Sequence, residues 1–349
     1  MRRIVLLKPC CLGDLVQATA VVTSLHERWP DASIAVGAGR WSLPAVAAHP
    51  DVTATIDIGN AGVRARQRPF DLLRLCWQLR AGRFDLAVVP DRSPVLSLAT
   101  LLAGIPVRAG LDSGGRGRFY TLRVSPLPRA HELDQSGRLL AALGAGPLPL
   151  PRFYPDEQAR AEMRALLGQL NAEKSLALLA PGGGENPGTR MPSKRWTTAG
   201  FASVALALID AGAAVAVVGG MGDHEAARSL VQAVPRARNL TGITSIGGLG
   251  ALQQHARLHV GNDSGTSHLA AAAGCPTVAI FGPTEPAFYG PRGPWVRVLA
   301  PPSACRTGGD GTVRQPFTYR RPWQDDVPVD TVVAAALEGL RRAPARSPG

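Results

Sequence analysis

Three short stretches hold residue types that could do chemistry together. The first, Gly261-Asn262-Asp263-Ser264-Gly265, is a polar loop between the apolar run Leu258 to Val260 and an alanine-rich segment that Gly274-Cys275-Pro276 stops. Asp263, Ser264 and Thr266 are helix-capping types, and Gly265 lets a ligand approach the backbone closely. Free N–H groups and the positive dipole end of a helix starting here favour an anion such as a diphosphate. His268, in the first turn, could add a donor. The same residues also fit a plainly capped helix with His268 packed on a sheet.

The second stretch, Pro181 to Trp196 (PGGGENPGTRMPSKRW), pairs a glycine-rich loop with a hydroxyl, Thr189, and two cations, Arg190 and Lys194. It suits a backbone wrapped around a phosphorylated ligand. It is not a P-loop, since GxxxxGK[ST] is absent, and the missing GxGxxG weakens a dinucleotide reading. The third, GGMGDHEAARSLV at 219 to 231, puts Asp223 and Glu225 at a helix start, where acids favour the dipole. Glu225 is the better candidate for accepting ribose hydroxyls, and Asp223 the better cap. Asp14, after Gly13 at the end of the first apolar run, can cap its helix or serve as a general base.

The elements that must position these residues alternate. Arg3 to Leu7 is the first strand, followed by a loop over Lys8 to Gly13 and a helix running to about Trp29. Strands are expected at Ser33 to Val36, Thr55 to Ile58, Leu86 to Val89 and Val107 to Ala109, with helices near 69 to 81, 93 to 103 and 134 to 143. Gly144 to Pro155, crowded with proline and glycine, reads as a linker. Beyond it come a helix from Gln158 to Asn171, strands at Ser175 to Ala180, Ala214 to Val218, Leu258 and Thr277, and a last helix from Val329 to Arg341. Such alternation predicts doubly wound parallel sheets. The expected division is 1–150 for a first Rossmann-like domain and 151–327 for a second. A helix and tail follow over 328–349, with the helix free to return to the first domain. Residues 301 to 326 read as loop.

The chain has 349 residues, 45% hydrophobic and 18% charged, with no apolar run long enough to span a bilayer. The basic start MRRIVLLKPCCLGD has too short an apolar run, Ile4 to Leu7, and no small-residue cleavage site for a signal peptide. A net charge of +12 calls for anionic partners: nucleotide phosphates, an acidic acceptor, or at most a peripheral membrane contact. Basic clusters lie at Arg64-Arg66-Arg68, Arg116-Arg118-Arg123 and Arg341-Arg342, and aromatics are only 5% of the chain, which argues against nucleic acid. The five cysteines have no metal-ligand spacing and are expected as reduced thiols of a cytoplasmic protein.

LGDLVQATAVVTSLHERWPDA, GTRMPSKRW and GNDSGTSHLAAAAGCPTVAIFGPTEP together resemble the heptosyltransferase family, glycosyltransferase family 9, in order and spacing across most of residues 1 to 300. The resemblance implies a GT-B fold of two Rossmann-like domains facing across a cleft, 1–150 acceptor-binding and 151–327 donor-binding, with inverting, metal-independent transfer, usually of heptose from ADP-heptose to a lipopolysaccharide core sugar. It implies that Asp14, beside Gly13, is the base and that Lys194, Thr189 and Arg190 serve the donor phosphates. Glu225 would bind ribose, and Asp263, Ser264 and Gly265, with Thr266 and His268 beside them, would hold the diphosphate and sugar. Family members often carry further cysteines after the one matching Cys305, and this chain does not, which bears on the acceptor. The rival readings are a GT-B nucleotide-sugar epimerase, a non-catalytic sugar-nucleotide-binding protein and, disfavoured by the missing glycine motif, a dinucleotide oxidoreductase.

Overall fold

In the first strand, β1 (Arg3–Leu7), Ile4 and Leu6 face one way and Val5 and Leu7 the other, and all four are fully buried. A strand apolar on both faces needs a helical layer on each, which is the condition of a parallel sheet interior. The computed structural model describes residues 1–63, 69–170, 175–186, 189–312 and 314–342. It divides into two compact units, Met1–Tyr154 with Asn186–Thr189, and Pro155–Glu185 with Arg190–Gly349.

In the first unit, β1 is followed by α1 (Leu12–Arg28), β2 (Ser33–Ala38), β3 (Ala54–Asp57), α2 (Pro69–Gly82), β4 (Leu86–Val89), α3 (Pro94–Leu102), β5 (Val107–Leu111), β6 (Leu122–Val124) and α4 (Glu132–Ala142). The strands pair in parallel in the order β3-β2-β1-β4-β5-β6. One apolar layer joins Ile4, Leu6, Leu86 and Val88 to Leu15, Val22, Leu139 and Leu140 of α1 and α4. The opposite layer joins Val5, Leu7, Ala87 and Val89 to Leu75 and Leu79 of α2 and Leu96 and Ala99 of α3.

The second unit begins with α5 (Glu157–Leu170) and β7 (Leu176–Ala180), after which come the two-residue strands β8 (Glu185–Asn186) and β9 (Thr189–Arg190), where the chain is divided between the units. Next come α6 (Thr198–Asp210), β10 (Ala214–Val217), α7 (His224–Ala233), β11 (Arg238–Asn239), α8 (Ile246–His255), β12 (Leu258–Asn262), α9 (Gly265–Ala272), β13 (Thr277–Ile280), α10 (Pro286–Tyr289) and β14 (Val296–Leu299). The large sheet runs β11-β10-β7-β12-β13-β14, all parallel. Each unit thus repeats one strand order, in which the winding reverses between its first and fourth strands. Ligands of such sheets sit at that switch point, beyond the carboxyl ends of the strands. For the first unit this is the β1/β4 pair, and for the second the β7/β12 pair.

Residues 301 to 326, expected as loop, hold an antiparallel hairpin of β15 (Arg306–Gly308) and β16 (Thr318–Tyr319) and a helical turn, Trp323–Asp326. The hairpin grips the loop after β13. Tyr319 Oη donates to the Gly282 carbonyl at 2.6 Å, Phe317 N–H to the Pro283 carbonyl at 2.7 Å, and Arg306 pairs with Glu285 at 2.8 Å. The final helix, α11 (Val329–Arg342), packs on α6, β12 and β13, within the second unit. No helix among the described residues is long and apolar enough to cross a membrane.

The expectation of reduced thiols is corrected at one place. The turn from β1 into α1 brings Cys10 and Cys11 to a Cα separation of 3.1 Å, across a cis peptide bond, and joins their sulfurs as a disulfide.

Candidate active site

The first-unit residues gather at the switch point between β1 and β4. Helix α1 starts at Leu12 with Cys11 as its cap, so Gly13 is buried in its first turn and Asp14 is its third residue. One oxygen of Asp14 accepts from the Cys11 N–H at 3.3 Å, which is capping geometry. The other lies 3.9 Å from Nζ of Lys8, so the carboxylate both caps and faces the loop that follows β4. Lys8 donates to the Pro90 carbonyl at 3.0 Å and also lies 3.9 Å from Asp91. Burial alone would lower the pKa of this lysine, but the carboxylates of Asp14, Asp91 and Glu132 outweigh it and hold the ammonium above its ordinary value. Burial pushes the Asp91 carboxyl up, against the pull of Lys8. Lys8, Asp14, Gln17, Pro90, Glu132 and Ser136 line one small cavity. Arg92 holds Glu132 at 2.8 Å.

The second-unit residues converge at the ends of β7 and β12. Asp263 is buried at the end of β12, where Nζ of Lys194 reaches its Oδ2 at 2.6 Å and the Thr284 hydroxyl at 2.5 Å. Ser264 caps α9 through its backbone, and its hydroxyl pairs with that of Thr266 at 2.8 Å. The first N–H groups of that helix, from Gly265 and Thr266, have no intrahelical acceptor. His268 is buried one turn in. The glycine loop lies against this helix start. Gly183, at φ +106°, would place a Cβ 2.9 Å from that of Ser264. A side chain there would be both strained and obstructed, so glycine is required.

The loop's shape is imposed by neighbours. The Asp223 carboxylate accepts from the N–H groups of Gly183 and Gly220, each at 2.9 Å, and is therefore occupied by backbone. Nε of Arg195 donates to the Gly183 carbonyl at 3.0 Å, and its Nη2 sits 3.6 Å from Asp223. Buried Asn262 donates to the carbonyls of Pro181 and Gly182, both at 2.9 Å, and accepts from the Trp196 N–H at 3.0 Å. One amide thereby ties the glycine loop, the segment after Lys194 and the end of β12 together.

Among the residues singled out from the sequence, the structure brings Lys194, Asp263, Ser264, Gly265, Thr266 and His268 into one cluster. Asp14 and Gly13 stand at the other unit's switch point. Thr189 lies in β9, and Arg190 projects with 79% of its side chain exposed, 3.3 Å from Glu185. Glu225 is exposed in the first turn of α7. Of the basic clusters, Arg123 lies 3.9 Å from Asp112 and Arg118 stacks on Phe119, while Arg64, Arg66 and Arg68 lie outside the described residues. Sequence reasoning passed over Lys8, Asp91 and Glu132 around Asp14, and Arg195, Asn262 and Thr284 around Lys194. A signal existed for Asn262 and Thr284, which lie inside stretches already noted; none existed for Asp91, whose place depends on the strand order.

Residues 72–307 match the model of glycosyltransferase family 9 (heptosyltransferase). The chain is 30% identical to lipopolysaccharide heptosyltransferase 2 of Escherichia coli K12 over 314 residues, covering 85% of this chain and 87% of that one. It is 26% identical to lipopolysaccharide heptosyltransferase 3 of the same strain over 297 residues, covering 80% and 82%. The structure of E. coli ADP-heptose lipopolysaccharide heptosyltransferase II superposes with a TM-score of 0.77 at 26% identity, over 98% of this chain and 99% of that one. A family 9 glycosyltransferase from Veillonella parvula shares the fold, with a TM-score of 0.80 at 20% identity over 97% of each chain. The two parallel sheets, each with one switch point, are the GT-B architecture of these neighbours, and the match extends through both units. The chain is a glycosyltransferase and belongs to family 9, the heptosyltransferases.

Proposed function

We propose that this protein transfers a heptose from ADP-heptose to a hydroxyl of a saccharide-containing acceptor in the lipopolysaccharide core, in the cytoplasm, with inversion and without a metal ion. The observation that carries the donor half is the Lys194 ammonium, held at 2.6 Å by Asp263 beside the amide-lined start of α9 and the glycine loop. Fixed positive charge and free N–H groups at one helix start suit a diphosphate. The acceptor assignment rests on similarity to lipopolysaccharide heptosyltransferases along most of the chain.

In this reading Asp14 removes the proton from the acceptor hydroxyl as its oxygen attacks the anomeric carbon. The bond from that carbon to the diphosphate oxygen breaks, ADP departs with the electron pair, and the proton remains on Asp14. Lys194 and the N–H groups of Gly265 and Thr266 stabilise the charge that grows on the diphosphate, which is the role a metal ion plays elsewhere. Asp263 and Thr284 act indirectly, by fixing where the ammonium sits. Thr189, Arg190 and His268 supply further donors to the phosphates and sugar, and Glu225 accepts from the ribose hydroxyls.

The test separates the two halves. Asp14→Asn keeps a cap acceptor but no base, and kcat should fall by about 100-fold or more while ADP affinity is unchanged. Parallel loss of ADP affinity and turnover would return Asp14 to a purely structural role. Full activity in excess EDTA is expected, and a strict requirement for added divalent ion would contradict the charge assignment.

A further inference from the structure

Helix α2 is apolar on two sides. Leu75 and Leu79, with Leu72 and Cys76 partly buried beside them, already provide its contact with the sheet. On the outward side Phe70, Leu73 and Trp77 are 72%, 68% and 71% exposed, at a spacing that puts them on one face of a helix of about 3.6 residues per turn. Three large apolar side chains in a row, all mostly in water, exceed the scattered surface residues that need no explanation. Arg74 and Arg80 flank this face, and Arg74 keeps 46% of its side chain exposed while it leans to Asp57 at 3.4 Å. The one acid of the helix, Asp71, turns instead toward the loop at Gly59. Arg80 reaches toward Gly104, two residues past the end of α3, whose last residue, Leu102, is 53% exposed.

We propose that this face of α2 is a docking surface for an anionic lipid bilayer, with Phe70, Leu73 and Trp77 entering the headgroup and acyl boundary and Arg74 and Arg80 meeting lipid phosphates. Bulky apolar anchors between arginines are the composition of a helix that lies in a membrane interface rather than across it. Charge decides against a second copy of the chain as occupant. Two such faces apposed would bring arginine to arginine, with Asp57 already paired to the Arg74 of its own chain and Asp71 turned away, whereas anionic headgroups supply the complement. The surface is independent of the transfer chemistry proposed above and is tested without it.

The full-length protein is mixed with sucrose-loaded vesicles of phosphatidylcholine plus phosphatidylglycerol, or of phosphatidylcholine alone, and sedimented. Binding is expected to the anionic vesicles and to weaken with salt. The triple variant Phe70→Ser/Leu73→Ser/Trp77→Ser should lose about 100-fold or more in vesicle affinity. Arg74→Gln/Arg80→Gln should lose about fivefold per arginine. Because the side chains are exposed, the melting temperature of the triple variant should match the parent. If it does not fold, Trp77→Phe serves instead, as the vesicle-induced blue shift of the parent's tryptophan emission should disappear in it. Equal sedimentation of parent and triple variant, or an absent blue shift in the parent, would overturn the proposal. So would a concentration-dependent dimer in light scattering that the triple variant abolishes, since the face would then belong to a second copy.

Discussion

Lys194→Ala tests the central arrangement, because the structure ties one side chain to two measurable losses. The ammonium lies 2.6 Å from Oδ2 of Asp263, and the two side chains are 14% and 6% exposed. Without it, a buried carboxylate keeps only the Thr284 hydroxyl as a side-chain donor among the described residues. Leaving one member of a buried pair uncompensated costs about 3–5 kcal/mol. A unit of this size loses about 2–4 °C per kcal/mol, so the melting temperature should fall by about 6–20 °C. Separately, a charge-assisted hydrogen bond to the diphosphate would be lost, worth about 1.5–3 kcal/mol, or about 10- to 150-fold in the Kd for ADP. The double variant Lys194→Ala/Asp263→Asn distinguishes the two effects. It removes the stranded charge and should regain most of the melting temperature, while ADP affinity stays low. Differential scanning fluorimetry and isothermal titration calorimetry measure both. A parent-like melting temperature in Lys194→Ala would refute the burial argument. Recovery of ADP affinity in the double variant would show that Lys194 only neutralises Asp263 and never touches the nucleotide.

Two further outcomes follow from the same unit. Gly183→Ala forces a side chain into φ +106° and against Ser264, so it should destabilise by about 1–3 kcal/mol and weaken ADP binding; parent values in calorimetry for both would show that the loop is free to move. His259, fully buried on β12 near Ser267 and Gln253, has its pKa pushed down by burial to about 3. It therefore stays neutral in the folded state while the unfolded chain takes up a proton below about pH 6.5. The unfolded state then binds more protons, so this histidine's contribution makes stability fall with pH between about 6.5 and 3, by at most about 1.4 kcal/mol per unit. His259→Gln should flatten the slope of melting temperature against pH over that range, and an unchanged slope would remove His259 as its source.

The alternating pattern of strand and helix was readable because parallel strands covered on both faces are written as unbroken apolar runs, such as Ile4 to Leu7 and Leu176 to Ala180. Elements without that signature were not. Helix α8 contains Gly247, Gly248 and Gly250, poor helix formers, and α5 packs closely at the first two, where added Cβ atoms would meet Ala159 and the Glu162 carboxylate. Strand β14 is only partly buried, and the β15/β16 hairpin is held by contacts to the distant loop at Gly282 to Glu285, which no local window reports.

Site residues divide along the same line. Asp263, Ser264 and Lys194 announce themselves through local motif and type, but what each does is set by partners far away in the chain. Asp263 reads as a helix cap or a ligand contact, yet its carboxylate is committed to Lys194 and Thr284. Asp223, the expected cap, reaches back 40 residues to the Gly183 N–H. Asp14 stands beside Lys8 and across from Asp91 because β4 pairs with β1, Ile4 lying opposite Leu86. The strand order is therefore what turns a capping aspartate into a carboxylate facing a buried lysine shared with a second carboxylate, Asp91. A change that shifts β4 against β1 should alter Asp14 chemistry without touching any residue of its motif.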